Sequence, residues 1–193
     1  MLKACWDCIS GFNENRERQE NGDAYGTRLS GNTQNAPLWP NARYENENMF
    51  VIPRQLNSGD QIDVSGVMTH NCQSVTVNLV TGNSYPDDQN IACQVETSFS
   101  ANNDRVAVRI KQNGYVEEIS GDHQNLTATD FFTSSNFTFS FSVSVSSDSH
   151  SLTVNLGDNY LTTITLKHRL EDIRFLTLYG DIEKITKLNF VFG

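Results

Sequence analysis

The stretch Phe137 to Ser146 reads F-T-F-S-F-S-V-S-V-S, with bulky apolar residues on odd positions and hydroxyl residues on even ones. Side chains on a strand point to opposite faces at every second residue, so this stretch has one dry face and one wet face. A helix could not bury the pattern, because a period of about 3.6 residues would scatter the phenylalanines around the cylinder. Half-wet alternation of this kind belongs to an antiparallel sheet with one side solvated.

The same signal recurs from Asn48 onward, in short runs separated by Gly, Asn, Asp and Ser. The runs are Met49–Ile52, Gln61–Val67, Ser74–Leu79, Ile91–Phe99, Arg105–Ile110, Tyr115–Ile119, Phe137–Val145, Ser151–Leu156, Tyr160–Leu166, Ile173–Tyr179 and Ile182–Phe192. Turn chemistry lies between them at Asn57-Ser58-Gly59-Asp60, Thr81-Gly82-Asn83, Gly157-Asp158-Asn159 and Gly180-Asp181. Gln112-Asn113-Gly114-Tyr115 is a strong hairpin signal. The only helical expectation is a brief turn at His168–Asp172. So many short strands predict an all-β fold, a two-sheet antiparallel sandwich of jelly-roll type over residues 47–193. Residues 1–46, dominated by Asn, Glu, Arg, Gly and Gln, hold too few aliphatics to offset their ordering entropy. They are expected to form a polar, disordered N-terminal extension.

Charge narrows the function classes. Twenty-three Asp and Glu face 14 Lys and Arg, for a formal −9. That balance argues against nucleic acid or an anionic membrane surface, since both reward clustered Lys and Arg. No apolar run is long enough to insert in a membrane, and the N-terminus M-L-K-A-C-W-D-C lacks the hydrophobic region of a signal peptide. The sequons at Asn125 and Asn136 therefore read as chance. Cys5 and Cys8 form a C-x-x-C, but no second pair follows at zinc-site spacing, and the four histidines are scattered. No metal or other cofactor is expected. Cys72 and Cys93, in or beside strands, are expected as small apolar residues.

The order of the runs from Met49 to Phe192 resembles the galectin carbohydrate-recognition domain. Phe50-Val51-Ile52-Pro53 followed by Leu56 to Gly66 looks like the opening strand, its Gly-Asp turn and the next strand. Ser74 to Gly82 is similar to the family's V-N-L-x-x-G strand, and Asp88 to Cys93 sits where the family has D-I-A-L. Val154-Asn155, His168-Arg169-Leu170 and Leu176 to Ile182 resemble its closing V-x-V-N, H-R-L and L-x-I-x-G-D-V elements. Most of these residues read as turn and strand-end formers, so this part of the resemblance supports fold rather than function.

The resemblance implies a galactose site on the wet face of one sheet, where the chain departs from the pattern. The family's H-x-N-P-R is replaced by Gln94-Val95-Glu96-Thr97-Ser98, so Gln, Glu and Ser stand for His, Asn and Arg. On the next strand, Val108-Arg109-Ile110 puts isoleucine where the family has a ligand-binding asparagine. The W-G-x-E-x-R motif maps onto Tyr115 to Ser120, keeping an aromatic at Tyr115 and a carboxylate at Glu118 and losing the final arginine. The connecting hairpin is about two residues shorter than usual, leaving room for a slip of one or two residues in this mapping. The candidate carbohydrate-binding residues are thus Gln94, Glu96, Ser98, Arg109, Tyr115 and Glu118. Such a face is expected to be rich in acceptors, poor in donors and hostile to sialic acid or sulfate.

Two functions remain open from the sequence. One is a divergent galectin-like lectin that binds a glycan or glycoprotein, with weak or no affinity for simple β-galactosides. The other is a protein-interaction module that kept the sandwich and lost sugar. Catalysis is not expected: Glu117 and Glu118 are adjacent on a strand and so point to opposite faces. The resemblance further implies a homodimer as a candidate assembly, and a cytoplasmic protein that can be exported without a signal peptide.

Overall fold

The computed structural model describes residues 2–4, 47–119, 127–132, 134–147 and 149–193. Two six-stranded antiparallel sheets face each other. The first runs β1 (Leu2–Ala4), β12 (Ile182–Phe192), β3 (Gln61–Met68), β8 (Asn136–Val145), β9 (His150–Leu156) and β10 (Asn159–Thr165). The second runs β2 (Asn48–Val51), β11 (Ile173–Gly180), β4 (Ser74–Thr81), β5 (Ile91–Ser100), β6 (Asn103–Gln112) and β7 (Tyr115–Glu118). Every run singled out in the sequence is a strand. β1 was not foreseen; it pairs with β12 through Leu2 and Phe192. The rest of the expected extension, with Cys5 and Cys8, lies outside the described residues.

The phenylalanine alternation does what the pleat requires. Phe137, Phe139, Phe141 and Val143 of β8 are buried, while Thr138, Ser140 and Ser142 face out. Val145 departs from the pattern and is exposed, because it stands at the strand's end. Opposite the phenylalanines, the second sheet buries Val75, Val77, Leu79, Cys93, Val95, Val108 and Ile110 in the same core. Each such side chain contributes about 1.5–3 kcal/mol by leaving water, so this interleaved layer dominates the stability of the sandwich.

Polar clasps close the ends of the sheets. Asp60, buried at the start of β3, accepts hydrogen bonds from Arg54 Nη2 at 2.8 Å, Asn57 N at 2.8 Å and Gly193 N at 3.1 Å. Asp181, between β11 and β12, accepts from Gln73 N at 2.7 Å and Ser74 N at 3.2 Å. Helical structure among the described residues is slight. A single 3-10 turn spans Leu170–Asp172, inside the stretch where a turn was expected. α1 (Ala128–Phe131) was not anticipated from sequence. It is held by a capping box in which Asp130 N donates to Thr127 Oγ1 at 3.2 Å and Thr127 N donates to Asp130 Oδ2 at 2.8 Å.

Both described cysteines are free thiols. Burial pushes Cys72 up to about 11, with the charge of Asp181 adding to it, and pushes the fully buried Cys93 further up. His168 is half-buried; burial holds its imidazole below the usual value despite the nearby carboxylates of Asp172 and Asp87.

Two measurements test this description. Gly180 has φ +106°, and a Cβ there would stand 2.4 Å from the Ser74 carbonyl oxygen. Gly180→Ala is expected to lower the unfolding free energy by about 2 kcal/mol or more in a urea titration; an unchanged midpoint would contradict the β4–β11 closure. His168 is neutral in both states above its ordinary pKa of 6.5. Below that value the unfolded chain takes up the proton first, so stability falls as pH drops. His168→Gln is expected to lose less stability than wild type between about pH 7 and pH 5.

Candidate functional site

The outer face of the second sheet is built by parity. In β5, Cys93, Val95 and Thr97 are fully buried, which turns Gln94, Glu96 and Ser98 to the opposite side. In β6, Val106, Val108 and Ile110 point to the core, which turns Arg105, Ala107 and Arg109 outward. Register then aligns them: Gln94 pairs with Arg109, and Arg109 pairs with Glu118 of β7. Glu96 and Ser98 lie opposite Ala107 and Arg105. The structure thus brings together Gln94, Glu96, Ser98, Arg109 and Glu118, five of the six candidates.

Arg109 is the centre of this row. Its Nε donates to Glu118 Oε2 at 3.0 Å, and its Nη1 donates to the Glu96 carboxylate. Burial works against the guanidinium's charge, but the hydrogen bonds and charges of Glu96 and then Glu118 outweigh it, so its pKa lies above the ordinary value. Arg105 Nη1 reaches the other Glu118 oxygen at 3.5 Å. The small Ala107 between the two arginines is only 3% exposed. Gln94 Nε2 lies 3.4 Å from the hydroxyl of Tyr179 in β11, so one aromatic does reach this face. Ser98 is mostly covered, with Asn103 Nδ2 at 3.5 Å from its hydroxyl.

Two expectations change. Tyr115 does not join the row. Asn113 and Gly114, with φ +50° and +82°, form a two-residue turn that places Gln112 directly opposite Tyr115. Gln112 shares parity with Ile110, so Tyr115 and Glu117 lie on the core side of β7, beyond the edge of the core, and Glu118 lies on the other side. The short hairpin fixes this parity, and a mapping across it by motif alone misses the inversion. The face is also not poor in donors. Arg105 was not among the candidates, although the apolar rhythm of Val106, Val108 and Ile110 puts it on the wet side with Arg109. Two carboxylates, Glu96 and Glu118, meet two guanidinium groups, so the row balances to zero formal charge on a chain of −9.

Among the described residues no cluster of His, Cys, Asp and Glu could hold a metal ion, and no helix is long and apolar enough to cross a membrane.

Comparison with known proteins places this sandwich in one class, the galactoside-binding lectins, whose family model matches residues 48–190. The chain belongs to the galectin family. Its structure is similar to galectin LEC-6 of Caenorhabditis elegans, with a TM-score of 0.55 at 12% identity, covering 77% of this chain and 92% of that one. Sheep galectin-11, solved with glycerol, gives 0.57 at 13% identity, covering 77% and 99%. A toad ovary galectin, solved with thio-digalactose, gives 0.51 at 14% identity, covering 75% and 99%. No curated protein matches the chain.

The charged row is testable without a ligand. A double-mutant cycle of Glu96→Gln and Arg109→Met in urea is expected to give a coupling of about 0.5–1 kcal/mol, since both groups are partly exposed. The coupling should shrink in molar salt. Additive single mutants would mean the two side chains do not meet.

Proposed function

We propose that this protein is a divergent galectin-like lectin that binds a glycan other than a simple β-galactoside, with weak or no affinity for lactose. Its fold belongs to a family of glycan-binding proteins. The observation that carries the finer reading is the sharing of Arg109 between Glu96 and Glu118. A well-made hydrogen bond to a charged group contributes about 1.5–3 kcal/mol, and the galactose-binding His, Asn and Arg implied by the family resemblance are Gln94, Glu96 and Ser98 here. A guanidinium already engaged by two carboxylates gains less from a sugar hydroxyl, because the new contact replaces an existing one. Gln94, Glu96, Arg109 and Glu118 are the residues assigned to the glycan, with Arg105 at the margin.

Catalysis is not part of this reading, since Glu96 and Glu118 are both engaged by one guanidinium and Glu117 faces the other way. The family likeness also supports a cytoplasmic protein exported without a signal peptide and a homodimeric assembly. The replacement of the expected sugar-binding side chains favours, as a second reading, a module that binds protein instead.

Lactose titration by calorimetry, together with a glycan array on wild type and Arg109→Ala, separates these readings. The expected result is little or no lactose heat, with array binding that weakens at least about tenfold in Arg109→Ala. Lactose binding of ordinary strength would refute the proposal. Silence across the array, with a protein partner captured by the same chain, would favour the second reading.

A further inference from the structure

The inversion at β7 leaves a second constellation on the opposite side of the same strand. Tyr115 is 77% exposed, and its hydroxyl makes no hydrogen bond among the described residues. Folding gains little from a ring left so open to water, whereas a ligand laid against it would release that hydration. Beside the ring is a hollow of about 110 Å³ lined by Ile110, Gln112, Asn113, Tyr115, Glu117 and Lys167. It lies at the seam where the edge of the second sheet meets the loop that follows β10.

The chemistry of this hollow is specific in two respects. Lys167 Nζ pairs with the Glu117 carboxylate, so the lining offers donors and acceptors side by side with no net charge. Gln112 Nε2 lies 3.5 Å from the Lys167 carbonyl oxygen, which links the hairpin to the loop and holds the pair in place. The hairpin is braced as well: Gly114 N donates to Gln89 O at 2.9 Å, and Asn113 N donates to Asn90 Oδ1 at 3.0 Å. The site is therefore carried by a tied-down turn. Its volume, roughly that of four waters, seats one edge of a sugar ring and leaves the ring's face to the tyrosine.

We propose that this edge hollow is a second saccharide subsite, selective for a neutral hexopyranose, on the opposite side of β7 from the charged row. The apolar C–H face of the sugar stacks on Tyr115. A vicinal hydroxyl pair bridges the two ions, one hydroxyl donating to the Glu117 carboxylate and the other accepting from the Lys167 ammonium. A charged sugar gains nothing here, since each sign meets an ion already paired. Glu118 and Tyr115 then serve two sites from one four-residue strand. The inference draws on the glycan-binding reading only for the class of ligand, and its geometry is independent of Arg109.

The test is a ¹⁵N-NMR titration of the full chain with methyl β-D-galactopyranoside, methyl β-D-glucopyranoside and N-acetylglucosamine as probes. At least one sugar is expected to shift the amides of Gln112 to Glu117 and of Lys167. Affinity at those amides should weaken about tenfold or more in Tyr115→Ala and persist in Tyr115→Phe. Shifts confined to β5 and β6 would overturn the second subsite and leave the charged-row proposal standing. The reverse pattern would do the opposite. Edge shifts undiminished in Tyr115→Ala, or no shift there with any of the three sugars, would also overturn the inference.

Discussion

Burial of Phe139, Phe141 and Phe190 between the two sheets is the constraint from which the rest of the molecule follows. A pleated strand has two sides and no third option, so committing one side to the core commits the other to water along its whole length. A one-residue slip of β8 would exchange phenylalanine for serine in the interior, and no compensating contact could offset that loss. The same rule runs through β5 and β6, where Val95 and Val108 hold Glu96 and Arg109 outward. The surface chemistry is thus as strictly placed as the core, although no surface contact would itself enforce it.

On that surface, electrostatics replaces what the family resemblance implied. The chain is strongly acidic, yet the row across β5, β6 and β7 is locally neutral because Arg105 and Arg109 sit among the carboxylates. A guanidinium in a fork between two acids is pre-oriented, and its donors are already directed. Such an arrangement favours partners that can exchange contacts with it in register over those that merely bring charge. The exposed geometry keeps each pair modest in energy, so its contribution lies in positioning rather than stability.

Sequence reading recovered nearly all the sheet structure because hydrophobic alternation and turn residues are local signals. Phe137 to Val145 and the Asn113-Gly114 hairpin are instances where a few residues suffice. The site was legible only as far as parity could be counted along one strand. Gln94, Glu96 and Ser98 follow from their buried neighbours, and Arg105 could have been found the same way. Tyr115 was misplaced because its side depends on the length of the turn before it, which a motif mapping carried over from a longer hairpin does not preserve. α1 escaped notice because one capped turn at Thr127 has no periodicity to detect. The reach of Arg109 to two different strands is a three-dimensional fact that no linear pattern encodes.

The two described thiols differ in what can reach them. Cys93 is walled in on every side by the interleaved aliphatics, with its proton held tightly, while Cys72 sits half-open beside Asp181. An oxidant or alkylating agent in the surrounding medium therefore meets the outer sulfur first and the inner one only when the sheets part. The pair in effect forms a gauge of opening, in which modification of the inner sulfur marks separation of the layers while modification of the outer one requires none.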